Sequence, residues 1–179
     1  MISREKIARI LINSEKNEIG GIPLFLNIDN EEMVFDLRKM HSFIVVGKNS
    51  AESVNALASQ INPLYVVRIT DTDVLYSVYE EVKSKFDDDE AYFPYQVIII
   101  PDLSIFQDKR FIIKELICKG VRVSSYFICA CKTDTIVDEY NMLIPVKMYD
   151  EYMDDIREKT ENLFTFAGTV KKIKFKTLR

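Results

Sequence analysis

Phe43-Ile44-Val45-Val46-Gly47-Lys48-Asn49-Ser50-Ala51-Glu52-Ser53-Val54 decides how the chain is read. Four apolar, β-favouring residues stop at a glycine. Small and polar residues follow, and Ser53 to Gln60 reads as a helix. A strand, a glycine turn and a helix in that order is the place of a phosphate-binding loop. Such a loop needs a second glycine to let backbone N–H groups close on phosphate, a lysine for the β- and γ-phosphates, and a Ser or Thr for magnesium. Counting from Gly47, those positions hold Glu52, Ser53 and Val54. A loop one residue shorter makes Ser53 the hydroxyl and puts Glu52 at the lysine position. Either alignment places a carboxylate where phosphate would lie, so the stretch reads as a P-loop architecture without its chemistry. Lys48 follows the turning glycine directly and would need an unusual path to reach phosphate. The plainer reading makes Gly47 a strand-to-helix turn and Lys48 a solvated side chain.

Outward from this stretch, 179 residues suit one domain over 1–179 with a sizeable core. A 47% hydrophobic and 29% charged composition is that of a soluble globular protein. No apolar run approaches the ~20 residues of a membrane span, and Met1-Ile2-Ser3-Arg4-Glu5-Lys6 lacks a signal-peptide core. The net charge of −4 argues against a domain bound mainly to phosphate backbones. Its one basic cluster, Lys171, Lys172, Lys174, Lys176 and Arg179, alternates with Ile173 and Phe175 as the solvent face of a last strand would. Cys118, Cys129 and Cys131 have no C-x-x-C spacing. Cys129 and Cys131 share one side of an apolar strand, as buried thiols in a reducing compartment do. A single histidine, His41, cannot build a histidine metal site, and Asp87-Asp88-Asp89-Glu90 lacks the ligand spacing and glycine of an EF-hand.

In chain order, residues 2–13 read as a helix through Ile7, Ile10 and Leu11. Pro23–Ile28 and Met33–Leu37 form a hairpin. Leu64–Ile69 is a strand, and Asp71 or Thr72 caps a helix over Asp73–Phe86. Val97-Ile98-Ile99-Ile100 is a strand buried on both faces, as in a helix-covered parallel sheet. Asp102 follows at the position where ligands bind in open α/β sheets, the Walker B place in P-loop enzymes. Leu103 stands where a glutamate would orient water. Phe111–Cys118 is a helix with Gly120 as its C-cap, and Tyr126–Cys131 is a buried strand. Asp138–Leu143 is a short helix, Ile144–Met148 an edge-like strand, and Glu151–Asn162 an exposed helix. Phe164–Val170 and Ile173–Phe175 close the chain as a hairpin. The fold expected is α/β: a mainly parallel, doubly wound sheet of the P-loop NTPase, RecA-like kind, with antiparallel edge strands and a C-terminal hairpin.

Several segments resemble the FtsK/SpoIIIE class of P-loop ATPases. Pro23-Leu24-Phe25-Leu26-Asn27-Ile28-Asp29 and Asp36-Leu37-Arg38-Lys39-Met40-His41-Ser42, leading into Phe43–Gly47, are similar to the elements that precede that class's Walker A loop. Leu116–Gly120 with Tyr126–Lys132, and Ile144-Pro145-Val146-Lys147, resemble later segments of the class, so the likeness runs over about residues 20–175. The departures fall on the chemistry: Glu52 and Ser53 in Walker A, Leu103 in Walker B, and Val121 where the class has an arginine, with Arg122 beside it. The resemblance implies the C-terminal ATPase-like domain of a type VII secretion coupling protein of the EssC/EccC family. That is a cytoplasmic domain of a larger, membrane-anchored tandem-domain protein. It would contact neighbouring ATPase domains and recognise secreted small helical substrates of the WXG100 type.

ATP and Mg²⁺ are the ligands of the class, expected here to bind weakly if at all, through the remnant Gly47, Lys48, Asn49, Ser50, Glu52 and Ser53 and through Asp102. No residue is assigned a catalytic role and no metal site is assigned. Two other readings stand beside this one: an atypical ATP-binding motor using Lys48 and Asp102, and a DNA translocase fragment, which the acidic balance disfavours. Any partner surface is expected at the strand C-termini, over Gly47–Ser53 and Asp102–Gln107. Ile105 and Phe106 there are either exposed anchors or the start of a buried helix face.

Overall fold

The computed structural model describes residues 22–28, 31–88, 92–133, 136, 138–140, 143–144, 146–152, 160–166 and 169–174. The helix expected over 2–13, Asp89 and Glu90 of the acidic run, and Phe175, Lys176 and Arg179 of the basic terminus lie outside these residues.

Strands whose residues are apolar on both faces can be satisfied only inside a sheet covered on both sides. β3 (Ser42–Gly47) accordingly lies between β6 (Ser125–Cys131) and β7 (Val146–Tyr152), parallel to both. All seven residues of β6 are buried. β5 (Gln96–Ile100) pairs in parallel with β6, and β4 (Val66–Arg68) with β5. The alternation of a strand divides the core in two. Phe43, Val45, Val97, Ile99, Ile128 and Ala130 face one layer, and Ile44, Val46, Ile98, Ile100, Cys129 and Cys131 face the other.

Helices close each layer. After the one-turn α1 (Leu37–Met40), α2 (Ser50–Ala58) covers the first with Val54, Leu57 and Ala58. α3 (Thr72–Lys83) and α4 (Arg110–Gly120) cover the second with Leu75, Val78 and Val82, and with Ile113, Leu116 and Ile117. Asp71 caps α3, its Oδ1 accepting from the Val74 N–H at 2.9 Å. The Tyr79 hydroxyl donates to Glu115 Oε2 at 2.6 Å and ties α3 to α4.

The antiparallel part extends the sheet beyond β7. β1 (Pro23–Ile28) and β2 (Glu31–Asp36) form the expected hairpin, and β8 (Thr160–Phe166) with β9 (Thr169–Lys174) forms the closing one. The order across all nine strands is β2-β1-β9-β8-β7-β3-β6-β5-β4.

Some expectations are corrected. The helix expected over Glu151–Asn162 does not include the described residues of that stretch: Glu151 and Tyr152 end β7, and Thr160–Asn162 begin β8, with Tyr152 opposite Thr160, while 153–159 lie outside the described residues. The charged stretch reads as a solvated helix locally, but β7 has β3 on one side and β8 on the other to take its backbone bonds. Of the helix expected over Asp138–Leu143, the described residues Asp138–Tyr140 form a 3-10 turn. Gly120 does not cap α4. It is buried inside the helix, and the backbone continues through a 3-10 turn (Val121–Val123) to a left-handed Ser124 with φ 57°. Its lack of a side chain serves close packing, since a Cβ there would stand 2.9 Å from the Phe127 ring.

Candidate functional site

The chain leaves β3 toward β4 and leaves β6 in the opposite direction toward β7. Adjacent parallel strands with diverging connections define the crevice where α/β sheets bind ligands. Three stretches meet at this end of the sheet: Gly47-Lys48-Asn49 after β3, Asp102 after β5, and Lys132-Thr133 after β6.

The turn after β3 is short. Gly47 adopts φ 143°, which a side chain would resist, and only Lys48 and Asn49 separate it from the first residue of α2. α2 begins at Ser50, three residues earlier than the pattern suggests, and the Ser53 N–H already donates to the Asn49 carbonyl at 3.1 Å. The residues that the motif would use as a wrapping loop are therefore the first turn of the helix. Ser50 and Ser53 are buried there, while Lys48 and Glu52 are exposed. Asn49 stands at the N-cap without a side-chain capping bond, and its Nδ2 is buried with no hydrogen-bond partner.

Asp102 is half-buried and occupied locally. Its Oδ1 accepts from the Ser104 N–H at 2.9 Å and from the Ser104 hydroxyl at 2.6 Å, capping the 3-10 segment Leu103–Lys109. Leu103 and Phe106 are fully buried, whereas Ile105 is 52% exposed. The open alternative for that pair thus splits, with Phe106 in the core and Ile105 on the surface. Burial pushes the Cys131 thiol up and the Asp102 charge adds to the effect, so the ends of β5 and β6 sense one another. The thiol donates to the Thr133 carbonyl at 3.3 Å. Cys129, fully enclosed, is raised further by burial. Cys131, expected from the sequence to be a buried thiol, is buried as the last residue of β6, at this end of the sheet.

No protein-family model matches the chain, and no curated protein matches its sequence. Solved structures do. The EssC fragment holding ATPases 2 and 3 from Geobacillus thermodenitrificans superposes with a TM-score of 0.64 at 13% identity, over 89% of this chain and 42% of that one. The pCW3 conjugation coupling protein TcpA, solved with ATPγS, gives 0.72 at 9% identity, over 93% and 68%. EccC ATPases 2 and 3 of Thermomonospora curvata, in complex with a signal sequence peptide, give 0.60 at 9% identity, over 89% and 41%.

The chain therefore has the P-loop, RecA-like fold of the ATPase domains in secretion and conjugation proteins. It spans less than half of the EssC and EccC chains that it matches. At 9–13% identity the likeness is one of fold.

Proposed function

We propose that the chain is a type VII secretion ATPase-like domain that does not hydrolyse ATP efficiently and works by recognition. The observation that carries this is the two-residue turn between Gly47 and Ser50. A phosphate loop encloses the β-phosphate with successive backbone N–H groups and delivers a lysine from its end. Two residues are too few to close around a phosphate, their lysine, Lys48, stands at the start of the turn beside Gly47 and not at its end, and Glu52 sits in the helix's first turn, where a carboxylate repels phosphate. Asp102 engages its Oδ1 with Ser104, and Leu103 in place of a base is fully buried. Phosphoryl transfer relies on placement and electrostatic stabilisation by these groups, so losing them together removes most of the rate.

In this reading the domain, folding as one unit over 1–179, belongs to a larger membrane-anchored coupling protein and acts on its cytoplasmic side. Its partners are neighbouring ATPase domains and secreted helical proteins of the WXG100 type, with no nucleic acid. The likeness to EssC and EccC, the latter solved with a signal sequence peptide, supports it. The likeness to TcpA, solved with ATPγS, favours a second reading, in which Lys48 and Asp102 hold a nucleotide without turning it over.

Calorimetric titration with ATP and Mg²⁺, beside a phosphate-release assay, separates the two. The first reading expects no heat of binding up to millimolar nucleotide, and capture of a WXG100-type protein instead. Micromolar, magnesium-dependent binding abolished by Lys48→Ala or Asp102→Ala would overturn it.

A further inference from the structure

Three large apolar side chains stand exposed on the helical face beside the end of β5: Tyr76 on α3 at 42%, Ile105 at 52% and Phe111 on α4 at 76%. The Tyr79–Glu115 bond fixes the register of the two helices. One turn earlier on each helix come Tyr76 and Phe111, so both stand at the same level of the seam. Cations line this seam. Lys83 Nζ lies 5.3 Å over the Tyr79 ring, Lys119 Nζ is 2.6 Å from Glu115 Oε1, and Lys109 Nζ is 2.9 Å from Asp108 Oδ2.

Charge along α4 and its flanks is mostly positive. Residues 108–122 carry Lys109, Arg110, Lys114, Lys119 and Arg122 against Asp108 and Glu115, five cations to two carboxylates, in a chain whose net charge is −4. Arg110 stands 3.6 Å from Glu139, and Lys114 stacks on the Tyr140 ring. α3 carries the acids Asp73, Glu80 and Glu81, of which Asp73 and Glu80 share its outer face with Ser77. A ligand with acidic flanks is thus repelled from the crest of α3 and drawn over α4.

We infer that the α4 surface, with Phe111 and Ile105 as anchors and Lys109, Arg110 and Lys119 as its rim, docks an acidic amphipathic helix of a partner protein. An amphipathic helix meets a groove with anchors at i, i+3, i+4 and i+7, and charges at the rim set which partner is accepted. The inference rests on the recognition reading for the existence of a partner, and it adds the surface and the chemistry of what binds there.

The test uses the full chain and two synthetic peptides with the same leucine face, one with glutamate and one with lysine on the polar face. Fluorescence anisotropy is read at low and at physiological salt. The Leu/Glu helix is expected to bind saturably, more weakly as salt rises, and the Leu/Lys helix not to bind. Phe111→Ser should weaken binding about tenfold, as loss of a central aromatic anchor does, and so should Lys109→Glu with Arg110→Glu. Tyr92→Ser, at the opposite end of the sheet, should change nothing. Thermal melts check that the variants fold, which surface positions favour.

Equal binding of both peptides, binding of neither, or binding undiminished by Phe111→Ser overturns the proposal. So does sedimentation showing that this face closes a dimer of the chain that Phe111→Ser dissolves. Failure here with a WXG100-type protein still captured leaves the recognition reading standing without this surface. Tight nucleotide binding removes that reading and leaves the peptide result intact.

Discussion

Replacing Asp102 separates two roles for one carboxylate. If it serves as a cap, Asp102→Ala removes the acceptor of two bonds, from the Ser104 N–H at 2.9 Å and the Ser104 hydroxyl at 2.6 Å. Loss of an N-cap acceptor costs about 0.5–2 kcal/mol. The Asp102 side chain is half-buried and the 3-10 segment anchors Leu103 and Phe106 in the core, which favours the upper half of that range, about 1–2 kcal/mol. For a domain of this size each kcal/mol moves the melting temperature by about 2–4 °C, so a fall of roughly 2–8 °C is expected. Asp102→Asn keeps an oxygen acceptor and should stay within about 0.5 kcal/mol. A carboxylate kept for magnesium behaves otherwise: without metal its removal costs little, and it abolishes any stabilisation by Mg²⁺ and ATP. Urea unfolding of the wild type and both variants, with and without saturating Mg²⁺ and ATP, reads all of this. A neutral Asp102→Ala, or a wild-type stabilisation by Mg²⁺ and ATP that both variants lose, refutes the capping argument.

Phe106→Ala should cost about 3–5 kcal/mol as a cavity in the second core layer, and Ile105→Ala less than about 0.5; equal losses in urea would contradict the burial of Phe106 and the exposure of Ile105. Tyr79 has its hydroxyl pKa pushed up to about 12, first by its hydrogen bond to Glu115 and then by burial. The folded value lies above the ordinary value near 10, so this stabilisation is whole below pH ~10 and disappears as pH rises toward 12. Melting curves of wild type and Tyr79→Phe should therefore differ at neutral pH and converge between those limits. A thiol reagent should label only Cys118 in the native protein, because Cys129 and Cys131 are buried, and all three cysteines after unfolding. Labelling that persists in native Cys118→Ser would show that the sheet opens.

The parallel core was legible from composition alone. Val97–Ile100 and Tyr126–Cys131 are apolar on both faces, and only a sheet covered twice accommodates that. The β1–β2 hairpin was equally plain, and the cap of α3 was narrowed to Asp71 or Thr72, of which Asp71 serves, because local chemistry decides them. Glu151, Tyr152 and Thr160–Asn162 are strand where the local pattern reads as helix, because a strand's partners lie elsewhere in the chain: β3 and β8 flank β7, and β7 and β9 flank β8. Gly120 had the local look of a cap, yet its reason for being glycine is the Phe127 ring across the layer. For the site, the sequence by itself determined that Glu52, Ser53 and Val54 follow Gly47 at the motif's spacing and that Leu103 follows Asp102. Only the tertiary structure decided that the loop shrinks to Lys48 and Asn49, that Asp102 bonds to Ser104, and that Phe106 turns inward while Ile105 turns outward. Those outcomes depend on where α2 and the 3-10 segment pack against the sheet, and packing joins residues that spacing along the chain does not relate.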